Sequence, residues 1–312
     1  MRIPESEFCS QVKGFERVLY LCHRNADPDS IASAFALQQA FGGDLGAVDD
    51  LSRTGRALAD AIGAKVTINP IMEEYDLVVI VDTSVQLQLG GLRPKCYAVI
   101  DHHMDEGLLR DALFYIQRPS PSTAEIVWRI LKESGSRPKR EAALGLLAGI
   151  VSDTGRFKRA SPEAFRAAAE LLEAGSLEYG DALLTLHVPV DISQRVAVLK
   201  AASRAEVDRI GSWLIATTEI NSFEGSAAMA LVEIGADVAF AAGRHEGHVR
   251  ISARAGREAV LAGLSLADLL REVAEAHGGE GGGHQAAAAM EAAGGVRALL
   301  EECKRRAAEV LS

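Results

Sequence analysis

No apolar run in the 312 residues reaches the eighteen or so that a membrane-spanning helix needs, so no membrane association is expected. The first fourteen residues lack the apolar core of a signal peptide. Cysteine is scarce: Cys9, Cys22, Cys96 and Cys303 stand far apart, with no Cys-x-x-Cys pair. That spacing argues against a disulfide framework and fits reduced thiols in a cytoplasm. Basic residues are outnumbered, 33 Lys and Arg against 43 Asp and Glu, for a net charge of −10. Coating of long nucleic acid is therefore not expected, while a short anionic substrate held by a few local cations stays open. Internal repeats of 20–50 residues and long disordered tracts are also missing.

What is present is an ordinary globular composition, 48% hydrophobic and 24% charged, in a chain long enough for two domains. In the first half short apolar runs alternate with helical patterns. Residues 17–22, 76–81 and 97–100 read as buried strands. Helices are expected from Ile31 to about Gly42, from Arg56 to Ile62, from Ser122 to Leu131, from Glu141 to Val151 and from Ser161 to about Ala174. The third opens on Ser122-Thr123-Ala124-Glu125, which has the S-x-x-E form of a capping box. This alternation predicts an α/β fold whose N-terminal sheet is mostly parallel and flanked by helices, with ligands gathering at the carboxyl ends of the strands.

The second half has a different texture. Residues 191–209 read as helical, and 189–210 as a helical connector between a first domain, 1–188, and a smaller C-terminal α/β domain, 211–312. Strands are expected near 213–218, 238–243 and 249–253, and helices near 227–234, 266–276 and from Val296 onward. The Gly-rich stretch 278–283 reads as a loop leading through His284-Gln285 into an Ala-rich helix.

Four polar clusters stand at the ends of these elements: His23, Asp27 and Asp29; Asp82; Asp101, His102 and His103; and Asp153. A single Asp after a strand is usually a turn or cap residue. Four clusters where an α/β sheet opens its crevice point to a metal, because buried charges are costly unless something pairs them. Two imidazoles among several carboxylates suit Mn²⁺ and leave Mg²⁺ and Co²⁺ open. The excess of carboxylates over what one ion needs suggests two ions with a shared carboxylate, an arrangement used for phosphoryl hydrolysis.

In this arrangement the chain resembles the DHH phosphoesterase superfamily. Its name motif stands as Asp101-His102-His103, its first motif as His23-x-x-x-Asp27-x-Asp29, its second as Val81-Asp82-Thr83-Ser84 and its fourth as Ser152-Asp153-Thr154-Gly155-Arg156-Phe157. Residues 281–284, Gly-Gly-Gly-His, resemble the signature of the associated domain in the nanoRNase and RecJ-like branch. The resemblance implies two Mn²⁺ per chain, one held by His23, Asp27 and Asp82 and the other by Asp29, Asp82, His102 and Asp153, with Asp82 bridging. It further implies that Asp101 orients an imidazole and that His103 faces the scissile phosphate. In the second domain it implies a phosphate clamp of Arg254 and His284 beside the glycine backbone at Gly282 and Gly283.

The function so implied is hydrolysis of very short single-stranded oligonucleotides to nucleoside monophosphates, or of small nucleotides, including a bisphosphate such as 3′-phosphoadenosine 5′-phosphate. A cyclic or linear dinucleotide phosphodiesterase and a RecJ-like exonuclease are the enzyme alternatives. From another class, a nucleotide-sensing module would bind without turnover. Relatives of this branch suggest a homodimer, and the scattered cysteines a cytoplasmic location.

Overall fold

The computed structural model describes residues 1–312, which fall into two compact units, Met1–Val188 and Pro189–Ser312. The first unit runs α1 (Phe8–Val12), β1 (Val18–Cys22), α2 (Pro28–Phe41), β2 (Asp44–Ala47), α3 (Arg53–Ile62), β3 (Thr67–Ile68), β4 (Leu77–Val81), β5 (Tyr97–Asp101), β6 (Phe114–Gln117), α4 (Thr123–Glu133), α5 (Arg140–Asp153), α6 (Pro162–Gly175) and α7 (Tyr179–Thr185). Its six strands pair in the order β3-β2-β1-β4-β5-β6, all parallel.

Side chains alternate across this sheet as a strand period of two requires. Val18, Tyr20 and Cys22 of β1 join residues of α2, α4 and α5 in one core. Leu19 and Leu21 face the opposite side, covered by Val48, Met72, Leu89, Leu108 and Leu109 from connecting segments. Helices therefore cover one face and packed loops the other. The strand order reverses between β1 and β4, which makes their carboxyl ends the switch point where such sheets take ligands.

The second unit runs α8 (Ile192–Arg204), β7 (Glu206–Ile210), β8 (Trp213–Glu219), α9 (Glu224–Glu233), β9 (Val238–His245), β10 (His248–Ala255), α10 (Arg257–Leu261), α11 (Leu266–Ala276), β11 (Glu280–His284), β12 (Ala287–Ala292) and α12 (Val296–Leu311). Its sheet order is β11-β12-β10-β9-β8-β7, antiparallel except for β8 and β9. Val238, Phe240 and Ala242 of β9 face α11 and α12, whereas Ala239 and Ala241 face α8 and α9.

Three local expectations are corrected here. The helical reading of 191–209 stops at Arg204, and β7 follows as an edge strand. The Gly-rich loop is strand β11 and the Ala-rich helix is strand β12. Alanine favours helix in isolation, but alternate burial of Ala288, Met290 and Ala292 against α11 and α12 overrides that preference. Small residues are needed because α11 lies close: a Cβ on Gly281 would sit 2.6 Å from the Leu270 carbonyl oxygen. No helix in the chain is long and apolar enough to cross a membrane.

Candidate metal centre

The apolar strands β1, β4 and β5 end side by side, and each hands over to a polar residue: His23, Asp82 and Asp101 with His102 and His103. After β1 the chain caps α2. The Asp27 carboxylate accepts from the Ser30 amide at 3.0 Å and Pro28 occupies the first helical position. Asp29 falls in the same first turn, at the positive end of the helix. Asp153 is the last residue of α5, a helix that packs along α2. Asp82 itself holds a left-handed backbone, φ 65°, which costs a residue other than glycine about 1–2 kcal/mol. Such strain collects at functional sites.

These elements bring all six residues expected to hold metal together. His23 Nε2 lies 3.5 Å from Asp82 Oδ2 and 3.9 Å from Asp27 Oδ1. His102 Nε2 lies 3.5 Å from Asp82 Oδ1 and 3.6 Å from Asp153 Oδ2. Three overlapping triads can each surround a cation: His23, Asp27 and Asp82; Asp29, His102 and Asp153; and Asp82, His102 and His103. Asp82 and His102 each belong to two of them.

Both imidazoles are oriented through their other nitrogen. His23 Nδ1–H donates to the Arg24 carbonyl at 2.8 Å, and His102 Nδ1–H to the Ser120 carbonyl at 2.9 Å. A carbonyl only accepts, so in the neutral ring each Nε2 presents its lone pair. His102 Nε2 is buried and has no hydrogen-bond partner, a costly arrangement unless a cation takes that lone pair.

Charge tells the same story. Asp29 is fully buried and Asp82 is 3% exposed. Burial, with Asp82 and other carboxylates alongside, pushes Asp29 well above the usual carboxylate range and Asp153 up to about 7. Asp27 moves in the same direction through burial and the nearby Asp82. Such a cluster calls for a divalent cation. The donors, two imidazoles and four carboxylates, fit one. A thiolate is not among them: burial pushes the neighbouring Cys22 thiol up to about 12, and it donates to the Ser30 carbonyl.

His103 is different. Half exposed, it donates from Nδ1 to Asp101 Oδ1 at 2.9 Å, and the same oxygen accepts from the His103 amide at 3.0 Å. That hydrogen bond raises the imidazole to about 9. Asp101 is fully buried, so a charge-bearing His103 sits at the rim on a rigid carboxylate support.

Two features escaped the sequence reading. Thr123, seen only as part of a helix cap, donates from Oγ1 to Asp82 Oδ1 at 2.8 Å. Its amide and that of Ala124 donate to the two oxygens of Asp29, at 2.6 and 2.9 Å. The capping box is only half made: Ser122 accepts from the Glu125 amide, but the Glu125 carboxylate pairs with Arg129. A helix start with Ser-Thr after a proline-rich turn is the one signal the sequence offered.

In the second unit, cross-strand register aligns Arg254, Ala287 and His284 on β10, β12 and β11. Directly opposed residues share a face, so Arg254 and His284 lie on the same side, two strand spacings or about 10 Å apart. Ser252, Ala289 and Gly282 form the next row on that face. His284 is exposed and Arg254 partly buried, with Nη1 donating to the Ala253 carbonyl. A Cβ on Gly282 would meet nothing within 4 Å, whereas one on Gly283 would strike the Ala287 carbonyl oxygen at 2.5 Å.

Comparison with known proteins gives the family. Residues 17–150 match the family model described as DHH family, N-terminal domain, and residues 216–311 match the DHHA1 domain. An uncharacterized protein of Methanocaldococcus jannaschii is 34% identical over 290 residues, 89% of this chain and 87% of that protein. A probable manganese-dependent inorganic pyrophosphatase of Streptococcus pyogenes is 28% identical over 212 residues, 62% of this chain and 65% of the relative. Among solved structures, an exopolyphosphatase-related protein from Bacteroides fragilis superposes with a TM-score of 0.59 at 17% identity, covering 98% of this chain and 95% of the other. At that identity the likeness concerns the fold.

Proposed function

Because this chain belongs to the DHH phosphoesterase family, with a DHH domain followed by a DHHA1 domain, we propose that it is a Mn²⁺-dependent hydrolase of very short oligonucleotides and small phosphorylated nucleotides. The observation that carries the metal dependence of this reading is the buried, partnerless His102 Nε2 facing Asp82 and Asp153. His23, Asp27 and Asp82 are the residues to hold one ion. Asp29, Asp82, His102 and Asp153 are those to hold a second, with Asp82 common to both. Bound divalent cations supply Lewis acidity toward a phosphoryl oxygen and a lowered pKa for water.

The chain's own groups complete the chemistry. The backbone carbonyls of Arg24 and Ser120 keep His23 and His102 in the tautomer whose Nε2 is free. Asp101 holds His103 by Nδ1 and leaves its Nε2–H to donate to an anionic oxygen, so His103 steadies charge on the phosphoryl group or protonates the leaving oxygen. On the second unit, the Arg254 guanidinium and His284 take a terminal phosphate of the substrate beside the glycine backbone at Gly282 and Gly283, with open space at Gly282 for close approach. A match of the second unit to DHHA1 favours this reading over an inorganic pyrophosphatase, the activity named for the streptococcal relative.

The test is purified protein with Mn²⁺ against labelled di- to decanucleotides, a cyclic dinucleotide, the adenosine bisphosphate and pyrophosphate. Release of nucleoside monophosphates that peaks at about two to five nucleotides, with a shallow salt dependence, is expected. Preference for strands beyond about ten nucleotides with a steep salt slope would replace this reading by a strand-tracking exonuclease. Turnover of pyrophosphate alone would replace it by a pyrophosphatase.

A further inference from the structure

One short segment touches three of the residues assigned to metal, each from a different element. Asp29 comes from the first turn of α2, Asp82 from the end of β4 and His102 from the end of β5. All three are tied to residues 120–124, where the chain enters α4. The Ser120 carbonyl accepts from His102 Nδ1 at 2.9 Å, and the Thr123 hydroxyl donates to Asp82 Oδ1 at 2.8 Å. The amides of Thr123 and Ala124 donate to Asp29 Oδ2 and Oδ1, at 2.6 and 2.9 Å.

We propose that residues 120–124, backed by Gly149, form a clasp that sets these three side chains before any ion arrives, with Thr123 as its principal positioning residue. This rests on the metal reading of the site. The first amides of a helix have no partner within the helix and form its positive end. Here they meet the two oxygens of a fully buried carboxyl group that no other hydrogen-bond donor reaches. Each Asp29 oxygen spends one lone-pair direction on an amide and keeps another for a cation. The Thr123 hydroxyl, itself fully buried, fixes the rotamer of the shared carboxylate of Asp82.

Gly149 explains how α5 fits against this turn. A Cβ there would lie 2.9 Å from Asp29 Oδ1, 3.0 Å from the Ala124 Cβ and 3.2 Å from the Asp29 Cα. Any larger residue displaces the carboxylate or the clasp. Gly149 is thus a second positioning residue, acting by its lack of a side chain.

Calorimetric titration of Mn²⁺ into the full chain tests the clasp, alongside thermal unfolding with and without the ion. Thr123→Val removes the donor and keeps the shape, and Thr123→Ser keeps the donor. The valine variant is expected to bind Mn²⁺ about 10- to 100-fold more weakly, the usual cost of losing a partner that orients a metal ligand. The serine variant should stay close to wild type, and the rise in melting temperature on adding Mn²⁺ should shrink in the valine variant alone. Wild-type affinity in Thr123→Val overturns the clasp, as does an equal loss in valine and serine, since the hydroxyl would then not be the active group. Should Thr123→Val not yield folded protein, Gly149→Ala carries the test, and unchanged affinity there overturns the proposal. Failure of the wild-type chain to bind Mn²⁺ at all would instead remove the metal reading beneath it.

Discussion

Each unit has its own six-stranded sheet with helices, yet the two present polar residues in opposite ways. In the first, strands run parallel and deliver their polar residues together at one end, where the order reverses between β1 and β4. Asp29, Asp82 and Asp101 are buried, the others are partly exposed, and most are held by a named donor or acceptor. In the second, the strands bearing the polar residues run antiparallel, and Arg254, Ser252, His284 and Gly282 spread along one sheet face rather than converging, from buried Ser252 to exposed His284. Parallel order suits a site that must hold charges against their repulsion, because rigid helix ends and buried backbone do the holding. An antiparallel face beside edge strand β11 suits a surface that receives one anionic group and releases it. Damage to the first unit should therefore cost catalysis and metal together, and damage to the second should cost substrate binding alone.

The largest effect tests the first half of that contrast. Asp82→Ala removes the carboxylate shared by two of the triads. Turnover should fall by at least about two to three orders of magnitude, as for other groups that act on the reacting centre, with the circular dichroism spectrum retained. Near-wild-type rates with metal still bound would sink the assignment of Asp82. Removal of metal by a chelator should likewise abolish hydrolysis, and added Mn²⁺ should restore it. At a Mn²⁺ concentration about 100 times the dissociation constant, binding should stabilise the fold by about 2.7 kcal/mol, read from the unfolding curve. No stabilisation at saturating Mn²⁺ would count against the centre.

A middle-sized effect probes the second unit. Arg254→Ala should lower kcat/KM for substrates bearing a terminal phosphate by the equivalent of about 1.5–3 kcal/mol, the scale of a charge-assisted hydrogen bond. Substrates without that phosphate should lose little, and Mn²⁺ affinity should not change. If the variant loses metal or loses all substrates equally, the division of labour between the units is wrong.

The polar cluster at the strand ends was largely legible in the sequence and the strand pair β11–β12 was not, for a physical reason. Buried strands such as Leu77–Val81 are nearly all apolar, so a carboxylate at the next position stands out against them. The four clusters needed only the α/β rule that strand ends share an edge. Strands β11 and β12 carry glycine and alanine instead, whose local preferences point to loop and helix. What makes them strands is the nearness of α11 and the alternate burial on β12, both tertiary facts. Thr123 is an intermediate case: its capping position was visible, but its bond to Asp82, 41 residues away in sequence, was not.

The smallest expected effect separates the glycines that the packing requires from the one it leaves free. Gly281 and Gly282 are neighbours on β11 and face opposite sides of the sheet. A methyl group on Gly281 would stand 2.6 Å from the Leu270 carbonyl oxygen and 3.0 Å from the Met290 Cβ, so Gly281→Ala must push α11 away. Overpacking of that kind typically costs about 1–3 kcal/mol, visible as a lower unfolding midpoint. A methyl group on Gly282 meets nothing within 4 Å, and its backbone needs no left-handed angle. Gly282→Ala should change stability by no more than about 0.5 kcal/mol in either direction. Packing therefore gives no reason for glycine at 282, whereas close approach of a phosphate to the β11 backbone does. The expected result is an intact unfolding curve with a raised KM for substrates that carry a terminal phosphate. An unchanged KM in a folded Gly282→Ala protein would remove the backbone from the phosphate site and leave only Arg254 and His284 to form it.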